Sequence, residues 1–181
     1  MILINNHIED VALTDYFFIE GTMDIDAEYF IKKIKEGFNK DTNMGFKTNV
    51  RDLMTSYNYF NNDEEFSKLL DIFIKYVDER IRLNSYLLQD SWGYCVRTGN
   101  RTQSHNHAPA IWSGAIYLND HPQTLDFPAI KRKVKPERGK FVLFSSFLPH
   151  GCKKHKHKDT KWGMSFNFSP TFAFRGKDDK R

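Results

Sequence analysis

Gly139-Lys-Phe-Val-Leu-Phe144-Ser-Ser-Phe-Leu-Pro-His150-Gly151 is the most informative stretch of this chain. It follows the turn signal Pro136-Glu-Arg-Gly139, continues through the apolar run Phe141 to Phe144, and ends on Pro149 and His150. A short apolar run bounded by turn residues predicts a buried strand, here over 141–147, with an imidazole displayed at its end.

Four more segments on either side read the same way. Trp92, Tyr94 and Val96 alternate with Gly93, Cys95 and Arg97. Trp112 to Leu118 is a short apolar run, Leu125-Asp-Phe127 a further short segment, and Trp162 to Phe168 ends in the alternation Met164, Phe166, Phe168. Several strands at this spacing predict a β-sandwich or jelly roll.

Before residue 90 the period changes. Ala27, Phe30, Ile31, Ile34 and Phe38 follow a 3.6-residue repeat in 26–39, with Asp24 or Asp26 as cap. Phe66, Leu69, Leu70, Phe73, Val77 and Ile81 form a second stripe from Asp63 to about Asn84, and 15–20 reads as a strand. The expected fold class is therefore α+β, a jelly-roll core with N-terminal helices packed on one face. No repeat or linker divides the 181 residues. One domain is expected across 1–181, helical to about residue 90 and sheet from about 91 to 175.

With 40% hydrophobic and 15% aromatic residues the chain is globular in composition and not disordered. The longest apolar runs fall far short of a membrane span, so no membrane partner is expected. The N-terminus lacks a basic region and a small-residue cleavage site, and Cys95 and Cys152 are too few to staple a small fold. The expectation is a soluble chain of a reducing, cytoplasmic compartment. Net charge is +4, but from Lys131 to Lys161 eleven Lys and Arg face only Glu137 and Asp159. That run is either a solvated edge or a positive rim that draws an anionic partner.

Among the histidines, His105 and His107 lie two apart, a spacing that points both to one face if they share a strand. Adding His150 from a distant strand brings three imidazoles together. Three protein ligands leave coordination positions open, the mark of a catalytic metal. His155 and His157 show the same spacing but alternate with lysines, which marks a loop and not a metal site.

Taken in order, the segments Ser91-Trp-Gly-Tyr94, His105-Asn-His107, Ser113-Gly-Ala-Ile-Tyr117-Leu-Asn119, Leu125-Asp-Phe127-Pro128, Gly139 to Gly151 and Lys161-Trp-Gly-Met-Ser165-Phe-Asn-Phe168 resemble the prolyl-hydroxylase-like branch of the 2-oxoglutarate/iron(II) oxygenases. The likeness is to small members from bacteria and their viruses, which would put a viral protein in the host cytoplasm. It covers about residues 90–168 and implies a double-stranded β-helix, the jelly roll of that family, with support helices before it.

The resemblance implies iron(II) on His105 and His150. The third ligand of the family pattern is a carboxylate two residues after the first histidine, and here that position holds His107. The third ligand is then His107 itself, or a carboxylate such as Asp126 or Asp120. A neutral imidazole there raises the charge of the site by one unit. The resemblance further implies that 2-oxoglutarate binds with its far carboxylate on Lys161, where the family usually has arginine. Ser165 would sit on the same face, the phenols of Tyr117 or Tyr94 would complete the cradle, and Leu125 would line it. The implied reaction consumes 2-oxoglutarate and dioxygen, releases succinate and carbon dioxide, and hydroxylates a prolyl or other side chain of a protein, or a small molecule. Segments 40–62 and 153–160 are the candidate selectivity loops, the first as a lid.

Two other readings compete. Gly99, five residues, then His105-Asn-His107 matches the opening of a cupin motif, which would bind metal without using 2-oxoglutarate; Ile111 and Trp112 stand where that motif wants glutamate. A non-enzymatic module could use the basic run on nucleic acid or another polyanion, but no nucleic-acid motif accompanies it.

Overall fold

Alternation along three strands separates the two sides of a sheet. In a computed structural model describing residues 16–40, 49–81 and 85–171, Trp112–Tyr117 (β4), Lys140–Ser145 (β7) and Lys161–Pro170 (β9) lie side by side. Phe18–Thr22 (β1) and Tyr86–Val96 (β2) complete an antiparallel five-stranded sheet of order β1-β7-β4-β9-β2. Four short strands, Thr102–His105 (β3), Leu125–Phe127 (β5), Arg132–Val134 (β6) and His150–Cys152 (β8), form a second sheet of order β3-β8-β5-β6. The fold is α+β, with a double-stranded β-helix core and two helices before it.

Both helices start at an aspartate. Asp26 Oδ1 accepts the Tyr29 N–H at 3.1 Å at the start of Ala27–Lys40 (α1), and Asp63 Oδ1 accepts the Phe66 N–H at 3.0 Å at the start of Glu64–Arg80 (α2). Ile81 is extended and ends α2 short of the expected Asn84, and 82–84 lie outside the described residues. Asp63 also accepts a hydrogen bond from the Tyr29 hydroxyl and pairs with Lys33, tying the two helices together.

The helices pack on one face of the five-stranded sheet. Phe30, Ile34, Phe66, Phe73 and Val77 meet Trp112, Ile116, Phe141, Met164 and Phe166 in one buried cluster. Close approach is set by Gly93 of β2, where an added Cβ would lie 2.2 Å from Ile34 Cγ1. Opposite residues of the same strands, Ala115, Tyr117, Val142 and Phe144, close a second cluster with Leu125, Phe127, Leu148 and Cys152 from the smaller sheet. This two-sided burial explains why β4 and β7 read as unbroken apolar runs.

Some expectations need correction. The strand expected over 141–147 ends at Ser145, and Phe147-Leu148-Pro149 turns the chain into the other sheet, so His150 opens β8 and does not end the apolar strand. The strand expected over 15–20 is β1, shifted to Phe18–Thr22 and paired to β7 from Phe18↔Phe144 to Thr22↔Lys140; Asp15 is outside the described residues.

Of the expected lid, 41–48 lie outside the described residues, and 49–62 run along β2 and reach β3. Thr55 N–H donates to Gly93 O, Cys95 N–H to Leu53 O and Ser91 N–H to Tyr57 O. The Asp52 carboxylate, 2% exposed, takes Arg97 through its backbone N–H and guanidinium and takes Asn100 through its side-chain amide. That anchors this segment to the turn leading into β3.

Candidate metal centre

β3 and β8 are adjacent strands, and in their register His105 stands directly opposite His150. A register shift between Thr102 and His105 turns the His105 ring to the interior. His107 is two residues beyond the end of β3, not on it, which corrects the shared-strand expectation. It reaches the same place because its N–H donates to Ser146 O at 2.9 Å, holding the turn against the end of β7. The ring-nitrogen atoms of His105, His107 and His150 lie within 4.8 Å of one another. Among the described residues this is the only group of three or more His, Cys, Asp or Glu able to hold a metal ion.

Hydrogen bonds fix the tautomers of two of the rings. His105 Nδ1 lies 2.8 Å from Gln103 O and His150 Nδ1 lies 2.8 Å from Leu148 O. A carbonyl oxygen only accepts, so each Nδ1 carries the proton and each Nε2 presents a lone pair to the cluster. Such an outer hydrogen bond orients an imidazole for metal binding. Burial, with charge repulsion from the other rings, depresses His107 to about 2 and His150 to about 3. Burial lowers His105 as well, so the set is neutral near pH 7.

The carboxylates weighed as third ligand are elsewhere. Asp126 accepts the Thr124 hydroxyl at 2.6 Å and lines an outer groove. Asp120 is exposed and accepts the Arg138 N–H at 2.8 Å. His155 and His157 are not in the triad. They sit near His121, whose two ring nitrogens are engaged by Gln123 N–H and Asp159 O.

One cavity contains the triad, and Lys161, Ser165, Tyr94 and Leu125 line it too. Lys161, Gly163 and Ser165 share the inner face of β9, opposite Val96, Tyr94 and Trp92 of β2. Gly163 leaves room for a phenol, since a Cβ there would lie 2.5 Å from Tyr94 Oη. On the other side Gly163 pairs with Tyr117, whose hydroxyl is buried without a hydrogen-bond partner. Tyr117 is not among the residues lining the cavity; it lies behind them. Burial pushes both phenols up, and the nearby Ser165 partly opposes this for Tyr94.

Lys161 is 1% exposed, and among the described residues no carboxylate pairs with it. Its Nζ contacts Cys152 Sγ at 3.2 Å. Cys152, two residues beyond His150 on β8, shares its face. Trp92 and Phe144 form apolar wall, and the Trp92 indole N–H is buried without a partner.

No family model and no curated protein matches this sequence. Solved structures do. A viral collagen prolyl hydroxylase of Paramecium bursaria Chlorella virus-1, in complex with 2-oxoglutarate, superposes with a TM-score of 0.68 at 16% identity, over 90% of this chain and 100% of that one. The fold is that of the 2-oxoglutarate/iron(II) oxygenases. A Pseudomonas putida prolyl-4-hydroxylase gives 0.64 at 13% identity over 90% and 96% of the two chains. HygX of Streptomyces hygroscopicus, with nickel and 2-oxoglutarate bound, gives 0.62 at 13% over 89% and 84%. Within this oxygenase fold the triad joins the smaller sheet to the end of β7, and Lys161 comes from the larger one. No helix among the described residues is long and apolar enough to cross a membrane.

Proposed function

We propose that this chain is a 2-oxoglutarate- and iron(II)-dependent dioxygenase with a three-histidine metal site, hydroxylating a prolyl or other side chain or a small molecule. The observation that carries the reading is a neutral nitrogen triad and an unpaired buried ammonium lining one cavity of an oxygenase fold. A cupin-type reading gives no account of that ammonium.

His105, His107 and His150 would hold the metal. Iron(II) with 2-oxoglutarate and dioxygen supplies the oxidising chemistry, with succinate and carbon dioxide as by-products. The protein's part is geometric and electrostatic. Gln103 O and Leu148 O keep two Nε2 lone pairs turned inward, so no proton has to leave those atoms for metal to bind. Lys161 neutralises the far carboxylate of the acid, as a point charge and not as the bidentate fork of an arginine. The Ser165 and Tyr94 hydroxyls supply directional hydrogen bonds beside it. The free space is about 40 Å³, with the Lys161–Cys152 contact on its wall. Trp92, Phe144 and Leu125 exclude water from the reacting centre.

Anaerobic loading with iron(II), then addition of 2-oxoglutarate and air, should yield succinate slowly without a second substrate. His150→Ala should abolish it. Metal binding without any 2-oxoglutarate consumption would overturn the proposal in favour of a cupin-type activity.

A further inference from the structure

Cys152 has surroundings unlike those of the other cysteine. It is 6% exposed, lines the cavity that holds the triad, and receives the Lys161 ammonium at 3.2 Å. A thiol sulfur is a weak acceptor, so this ammonium lacks a strong partner. The Tyr117 hydroxyl, buried without a hydrogen-bond partner, belongs to the same buried cluster as Cys152. A buried ammonium whose acceptor is one weak sulfur is suited to oxygen atoms on that sulfur. Cys95 offers the contrast. It lies outside this cavity, and burial with Asp52 nearby pushes its thiol up to about 12.

We propose that Cys152 is an oxidation site: peroxide converts it to a sulfinate held by Lys161, which fills the anion pocket and shuts out the cosubstrate. In each of two steps the sulfur attacks a peroxide oxygen. An S–O bond forms, the O–O bond breaks, and the departing hydroxide leaves as water after taking up a proton. Overall one thiol and two hydrogen peroxide molecules give one sulfinate, one proton and two waters. Sulfur loses four electrons and the two peroxides gain them. Lys161 favours the anionic product, and the cavity admits a molecule as small as peroxide. The block on the cosubstrate rests on the function proposed above; the oxidation does not.

The test treats the metal-free full-length chain with graded hydrogen peroxide and maps oxygen gain at both cysteines by peptide mass spectrometry. Cys152 should gain two oxygens about tenfold faster than Cys95 reacts, and Lys161→Met should slow the second oxygen by a similar factor. Titration calorimetry of the manganese-loaded protein should show 2-oxoglutarate affinity falling about tenfold or more after oxidation, with metal stoichiometry unchanged and Cys152→Ser resistant. Equal rates at the two cysteines, or unchanged 2-oxoglutarate affinity after Cys152 is oxidised, would overturn the proposal. If the untreated protein binds no 2-oxoglutarate, the proposed function fails, and the relative oxidation rates in the wild-type chain still decide whether Cys152 is the oxidation site.

Discussion

His107 Nε2 and His150 Nε2 stand 3.1 Å apart. Two nitrogens at right angles on an ion about 2.1 Å from each would be separated by about 3.0 Å, so this pair is already spaced as neighbouring ligands. His107→Ala should lower affinity for iron(II), manganese or zinc about 10- to 100-fold by calorimetry and abolish succinate formation. Normal turnover in that variant would remove His107 from the site.

The depressed histidines set the sign of the acid response. In the folded chain His107 and His150 lie near 2 and 3, below the ordinary 6.5, so below about pH 6.5 the unfolded chain binds more protons and stability falls with pH. The slope is at most about 1.4 kcal/mol per pH unit for each histidine. Asp90 acts the other way: burial raises it to about 6, so stability is gained as pH drops through 6 toward 4. Melting of the metal-free protein from pH 7.5 to 4.5 should show a net loss on acidification, steeper in Asp90→Asn. A melting temperature that rises on acidification would contradict the buried neutral triad.

Lys161 should show function opposed to stability. Holding an ammonium at 1% exposure without a carboxylate is costly, so Lys161→Met should stabilise the chain by about 1–3 kcal/mol in urea unfolding. The same variant should need about 10- to 100-fold more 2-oxoglutarate for half-maximal succinate release. A variant that loses stability and keeps its cosubstrate requirement would place Lys161 in the framework and not in the pocket.

Gly93 tests how the helices seat on the sheet. A methyl group there would lie 2.2 Å from Ile34 Cγ1, inside contact distance, so Gly93→Ala should cost about 2–3 kcal/mol. Combined with Ile34→Ala the losses should be less than additive, because the second change removes the clash. Strict additivity would mean that α1 does not pack there.

What could be read without coordinates depended on element length and on the distance between partners. β4, β7 and β9 carry six to ten residues of regular apolar pattern and were visible at once. β6 and β8 have three residues each, Arg132-Lys-Val134 and His150-Gly-Cys152, too short and too polar to show a period. Their existence is dictated by the neighbours they pair with. The three histidines were legible as candidates from their spacing, and Lys161 through the family resemblance. That His107 reaches the triad through a hydrogen bond to Ser146, and not by strand alternation, was not, because it depends on where β7 ends. The run 49–62 has no period of its own and takes its shape from the edge of β2.

The pairing of His105 with His150 across β3 and β8 makes residue count, more than residue identity, the vulnerable property of this stretch. Side chains alternate across a strand, so one residue inserted or deleted between Thr102 and His105 would swing the imidazole to the solvent side while leaving every hydrophobic contact of the larger sheet untouched. Such a chain would fold, melt and sediment like the parent and yet take up no metal.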